Sequence, residues 1–311
     1  MPRPARAATL VGLFLLTGCA NVGAQGPDAH DTPAGAPTSP ESSAATSAAE
    51  GSTASERPGS EPWATTTEPY RGLEGRPNLL ALALDGSDGD VVTSMRPDAD
   101  GLVIDVVTLD GGVVTTGRDS AEAAAFRFPS YATGPQPPRA IVRVQEVADP
   151  GALRVDDLDF TFGADFAVDD RSEGAGVDGG NNLIQRGLAS DGSQFKIDID
   201  DGMPLCRIEG DGGVLEARIH EEVRPQEWYR VRCARRGEAI RLSLTPITLV
   251  GPTAVATASG PLGRLSFRAG LPLSIGGKLA ANGAVIRSTT DQFNGLVSEP
   301  YLVVADRDAG R

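Results

Sequence analysis

The stretch Phe160-Thr161-Phe162-Gly163-Ala164-Asp165-Phe166-Ala167-Val168 decides the fold. Phe160, Phe162, Ala164, Phe166 and Val168 recur on every second residue, with Thr161, Gly163 and Asp165 between them. Successive side chains of a strand point to opposite faces, so this period of two predicts a strand buried on one face and wet on the other. Phe195, Ile197 and Ile199 alternate with Lys196, Asp198 and Asp200 in the same way, and Ile240, Leu242 and Leu244 alternate with Arg241 and Ser243. Asp110-Gly111-Gly112, Asp178-Gly179-Gly180, Asp201-Gly202 and Asp211-Gly212-Gly213 separate such runs, the turn chemistry of antiparallel neighbours. The one helical hint is a short turn near Ser120 to Ala125. The expectation is an all-β domain over residues 76–311, a two-sheet sandwich or a barrel.

Ahead of this region the pattern differs. Arg3 and Arg6 precede the apolar run Ala7 to Leu16, which meets Leu16-Thr17-Gly18-Cys19. An apolar core of about ten residues is half of what spans a bilayer, so residues 1–18 read as a cleavable lipoprotein signal peptide. Cys19 is then the lipidated residue, and two or more acyl chains hold the chain on the extracellular face of the cell membrane. Residues 19–75 are rich in Ala, Ser, Thr, Pro and Gly and are expected to be a disordered linker, with Trp63 and Tyr70 its isolated aromatics. With Cys19 assigned to lipid, Cys206 and Cys233 remain as an even pair in an exported domain and are expected to be bridged, the alternative being two unrelated buried thiols.

The net charge of −14 opposes binding to phosphate backbones and excludes nucleic acid as a partner. Lys196 and Lys278 are the only lysines among 28 basic residues. That bias has no physical rationale in folding and fits a GC-rich genome.

Several segments carry a resemblance: Asp178-Gly179-Gly180-Asn181-Asn182-Leu183-Ile184-Gln185-Arg186-Gly187, Gln194-Phe195-Lys196-Ile197, Cys206-Arg207, Glu227-Trp228-Tyr229-Arg230-Val231-Arg232-Cys233, Pro272-Leu273-Ser274-Ile275-Gly276-Gly277-Lys278 and Asp291-Gln292-Phe293-Asn294-Gly295. In order and spacing, over most of residues 102–305, the chain resembles a laminin G-like, concanavalin A-like domain of the kind found in actinobacterial surface lipoproteins. The resemblance implies a jelly-roll sandwich of two antiparallel sheets and a carbohydrate- or protein-binding role. It requires no cofactor and allows a calcium ion at the rim. Two departures from the family pattern, Leu244-Thr245-Pro246 and Ser298-Glu299-Pro300, fall in loops at the edge where family ligands bind.

If Tyr229, Val231 and Cys233 face inward, a bridge requires Cys206 and Ile208 to face inward as well. Arg207, Arg230 and Arg232 then point outward, and with Lys196, Asp198, Asp200 and Arg241 they are expected to form one polar patch on one sheet surface. Such a patch is a binding face for an anionic or hydroxyl-rich glycan, or a solvated face whose arginines pair with Asp198 and Asp200. Trp228, opening a strand, is expected in core packing rather than sugar stacking. Asp169-Asp170, Asp178 and Asp191 are candidate calcium donors, although Asp-Gly turn chemistry explains most of them.

Catalytic sets are missing. The paired carboxylates of a sandwich-fold glycosidase, E-x-D-x-x-E, have their nearest approach at Glu209-Gly210-Asp211, where Val214 occupies the second glutamate position. His30 and His220 are the only histidines, and Arg224 stands where a zinc helix needs its second ligand after His220-Glu221. Ser193 to Lys196 lies across a strand without companion motifs, and Gly277-Lys278 lacks a phosphate loop's first glycine and its hydroxyl. The expected function is therefore a lipid-anchored, non-catalytic surface module recognising a glycan or a surface protein. The alternatives are a divergent polysaccharide hydrolase or lyase and a structural subunit of a surface complex.

Overall fold

The computed structural model describes residues 79–95, 101–147, 151–172 and 180–305. The expected signal peptide and Cys19, the expected linker with Trp63 and Tyr70, and Asp178 lie outside the described residues. The first strands are β1 (Leu79–Ala81), β2 (Val91–Val92), β3 (Ser94–Met95), β4 (Leu102–Leu109), β5 (Val114–Arg118) and β6 (Ala124–Arg127). Next come β7 (Arg139–Glu146), β8 (Phe160–Val168), β9 (Asn181–Arg186), β10 (Gln194–Asp200), β11 (Met203–Gly210) and β12 (Gly213–Arg218). The last are β13 (Tyr229–Arg236), β14 (Ala239–Pro246), β15 (Ala254–Ser259), β16 (Leu273–Ile275) and β17 (Gly295–Val304).

These strands form two antiparallel sheets. One is nine-stranded in the order β15-β14-β13-β8-β17-β6-β5-β2, with β1 also on β17. The other is eight-stranded in the order β12-β11-β10-β9-β16-β7-β4-β3. Neighbours far apart in sequence, such as β8 beside β17 and β9 beside β16, give the crossovers of a jelly-roll sandwich. The sequence alternation is realised: Phe160, Phe162, Ala164, Phe166 and Val168 are buried, and so are Phe195, Ile197, Ile199, Ile240, Leu242 and Leu244. Phe162 of one sheet meets Phe195 of the other with ring centroids 4.9 Å apart, so the two inner faces share one core.

The stretch near Ser120 to Ala125 is not helical. Asp119 accepts hydrogen bonds from the backbone N–H groups of Ala121 and Ala123, closing a tight turn, and Ala124 and Ala125 already belong to β6. The short 3-10 turn Ala189–Asp191, between β9 and β10, has no sequence expectation behind it. Gly276, at φ 84°, shows why glycine follows β16: a Cβ there would lie 2.1 Å from the Phe128 ring. Trp228 is buried against Ala125 and Ala167, as expected of a packing residue.

The disulfide Cys206–Cys233 is formed, and it joins β11 of one sheet to β13 of the other. The single polar patch is therefore corrected to two. Lys196, Asp198 and Arg207 stand on the outer side of the eight-stranded sheet, whereas Arg230, Arg232 and Arg241 stand on the outer side of the nine-stranded sheet. Alternation fixes which side of a strand a residue takes, but it carries no information about which sheet the strand joins.

Candidate ligand-binding site

Both outer faces are largely committed to internal pairing. Arg230 makes a two-pronged bond to Asp165, Nε to Oδ1 at 2.8 Å and Nη2 to Oδ2 at 2.7 Å, and Arg232 Nε donates to the Tyr301 hydroxyl at 3.0 Å. Burial pushes the Tyr301 phenol above its ordinary value and raises the Asp165 carboxyl despite the pull of Arg230. Arg241 lies across from Ala234 on the same face. On the other sheet, Arg207 reaches Glu209 at 2.8 Å and Glu216 at 2.6 Å, and Asp200 pairs with Arg218 rather than with a predicted partner. Lys196 is ion-paired with Asp198.

A cleft opens instead at one rim, and the topology explains it. β17 runs antiparallel to both β6 and β8, so β6 and β8 are parallel to each other and their C-terminal loops leave by the same edge. β13 begins there too, since Tyr229 pairs with Phe166. The cleft has a volume of about 420 Å³ and is lined by Arg127, Ser130, Tyr131, Thr133, Asp169, Asp170, Arg171 and Gln226. That size suits one or two small-ligand rings.

Asn294 holds the two loops in place. Its Nδ2 donates to the Pro129 carbonyl at 2.6 Å, and its carbonyl accepts from the Asp169 N–H at 3.0 Å. Its own N–H donates to Asn181 Oδ1 at 2.9 Å. Arg127 then clamps Asp169 through two parallel bonds of 2.7 and 3.0 Å, joining the two sides. The guanidinium of Arg171 stands 4.5 Å from the centroid of the half-buried Tyr131 ring. The result is an aromatic surface with a cation over it, ringed by hydroxyls, an amide and the exposed Asp170.

Of the candidate calcium donors, Asp169 and Asp191 are engaged separately. Asp169 bonds Arg127 through both oxygens, and Asp191 lines a different cleft, where it accepts from the Leu188 N–H at 3.2 Å. Among the described residues no three His, Cys, Asp or Glu side chains converge on a point that would hold a metal ion. Of the rim residues, sequence reading reached only Asp169 and Asp170. Tyr131, Arg171 and Gln226 belong to no motif, and the parallel exit of β6 and β8 is the signal that groups them. The departure at Ser298-Glu299-Pro300 proves to be a bulge in β17, with Glu299 at φ 51°.

No family model matches the chain, and no curated protein matches it. Among solved structures it is similar to the LG1–3 region of the laminin α2 chain, with 15% identity and a TM-score of 0.39 over 55% of this chain and 32% of that one. It is also similar to a carbohydrate-binding module from Bacillus subtilis, with 11% identity and a TM-score of 0.30 over 64% of this chain and 92% of that one. A third likeness is to botulinum neurotoxin type C, whose cell entry depends on interaction with two ganglioside molecules. There the identity is 8% and the TM-score 0.41, over 71% of this chain and 49% of that one. The chain thus spans a third to a half of the length of the laminin and toxin structures.

Proposed function

We propose that this chain is a non-catalytic carbohydrate-binding module, held on the outer face of a cell membrane by lipid on Cys19, and that its rim cleft takes the sugar. One observation carries the binding reading: Tyr131, with Arg171 over it, sits in an open cleft among polar side chains of both kinds. A sugar ring presents apolar C–H faces and polar hydroxyl edges. The tyrosine ring suits the faces, while Arg171, Asp170, Ser130, Thr133 and Gln226 supply donors and acceptors for the edges. The address is supported by Leu16-Thr17-Gly18-Cys19 behind a basic, short apolar leader, and a disulfide is the chemistry of an oxidising compartment.

Two measurements test the reading. On immobilised polysaccharides the full chain is expected to be retained, and Tyr131→Ala or Arg171→Ala is expected to weaken retention about tenfold. Retention unchanged in both variants removes the cleft from the account. In the producing cell, Cys19→Ser is expected to move the chain from the membrane fraction to the medium. Persistence in the membrane fraction refutes the lipid anchor.

A further inference from the structure

The two lysines of this arginine-rich chain belong to one cluster. Lys196, on β10, is ion-paired with Asp198 of the same strand. Asp198 stands directly across from Asn182 on β9, and the Asn182 N–H donates to the carbonyl of Asp291 at 3.0 Å. The Asp291 carboxylate pairs with Lys278 at 2.5 Å. Arginine fills 26 of the 28 basic positions, so lysine twice in one cluster marks a place that uses a compact ammonium on a flexible stem.

Within this cluster two acceptors lack partners among the described residues. Asn182 is 1% exposed and Asp198 6% exposed, yet Asn182 Oδ1 and Asp198 Oδ1 receive no hydrogen bond. On the same face Gln185 accepts from Asn182 Nδ2 and donates to the Gly187 carbonyl, and Arg143 pairs with Asp105, while Arg207, across from Lys196, bonds Glu209 and Glu216 but leaves its buried Nε without an acceptor. Buried oxygens left without donors cost folding free energy, and two of them on cross-strand neighbours offer acceptors to a donor from outside.

The charges narrow the class of donor. Two ammoniums balance Asp198 and Asp291, so the lysines oppose a metal cation and the carboxylates oppose an anion. A neutral hydroxyl group meets neither objection. It donates to the orphaned oxygens and accepts from a lysine. The side chains of Lys196 and Lys278 are 18% and 20% exposed, so both lysines are partly open to solvent, and their four-carbon stems are flexible.

We propose that Asn182, Lys196, Asp198, Lys278 and Asp291 form a second subsite, separate from the rim cleft, for vicinal hydroxyls of a neutral oligosaccharide. Having only two lysines makes it directly readable. The full chain is acetylated with an amine-reactive ester alone or with cellohexaose, maltohexaose, xylohexaose or mannohexaose, and modification of each lysine is followed by peptide mass spectrometry. At least one sugar is expected to slow both lysines about tenfold, as roughly 90% occupancy requires, while a lysine peptide in the same tube reacts at its usual rate. Asn182→Leu, which deletes an orphaned acceptor without changing charge, is expected to abolish that protection, and the rim variant Tyr131→Ala is expected to keep it. If Asn182→Leu fails to fold, Lys278→Met replaces it, with Lys196 read alone. No protection by any of the four sugars overturns the subsite, as does protection that survives the cluster variant or vanishes with Tyr131→Ala.

Discussion

Arg186→Ala is expected to lower the unfolding free energy by about 3–5 kcal/mol and the melting temperature by roughly 10 °C. Arg186 faces the core side of β9, opposite Phe195 and Leu273, and is only 3% exposed. Burial brings its guanidinium down to about 10, against the pull of Glu146 and Asp156. It remains charged at neutral pH because everything around it accepts. It donates to the carbonyls of Leu153 and Leu271, lies 3.5 Å from Glu146, and stacks 4.6 Å from the Phe267 ring. Glu146 in turn accepts the Leu153 N–H at 2.6 Å. Removing the arginine strands a buried carboxylate and frees two carbonyls, which is the costly half of a buried ion pair. Arg186→Met with Glu146→Gln retains the acceptor for Leu153 and removes both charges, so it is expected to recover part of the loss in urea unfolding. A single variant within 1 kcal/mol of the parent contradicts this description of the interior.

Replacing Cys206 and Cys233 together by alanine is expected to cost about 3.5 kcal/mol, the chain-entropy value for a sequence separation of 27 residues. Both cysteines are fully buried, and the bond ties the two sheets together rather than neighbours within one. Without the bond, segments that belong to facing sheets move freely of each other in the unfolded chain. Comparison of denaturant midpoints between parent and double variant measures it, and a difference below 1 kcal/mol would show that core packing alone fixes the sheets. Reduction of the native chain is expected to need denaturant, since no sulfur is exposed to a small thiol.

Arg235 plays a similar part. It too faces the interior, at 3% exposure, and donates to the carbonyls of Gly237, Asp156 and Gly263. Two buried arginines thus fasten the loops on either side of Leu153 and Leu265 to the sandwich by serving backbone carbonyls that have no strand partner.

Periodicity made much of the framework legible. The alternation in Phe160 to Val168 and in Phe195 to Ile199 named the inward residues one by one, because a buried face constrains every second side chain. Arg186 and Arg235 escaped that logic, since a charged residue on the core side breaks the pattern that alternation recognises. β9 is buried along its whole length despite its Asn, Gln and Arg, and no period of two marks it. The site was less legible still. Arg230 and Arg207 looked like one patch because both alternate with inward cysteines, but a bridge between facing sheets sends them to opposite surfaces. Tyr131 and Arg171 meet only because β6 and β8 leave the sandwich in parallel, a long-range pairing through β17 that local sequence does not encode.

Whether the rim cleft binds sugar and leaves it intact is decided by one experiment. The oligosaccharide best retained on the immobilised panel is titrated calorimetrically into the full chain and into Arg171→Ala, and the ligand recovered from the cell is weighed by mass spectrometry. Affinity about tenfold weaker in the variant and a ligand of unchanged mass are expected. Equal affinities, or a shortened ligand, would contradict that expectation.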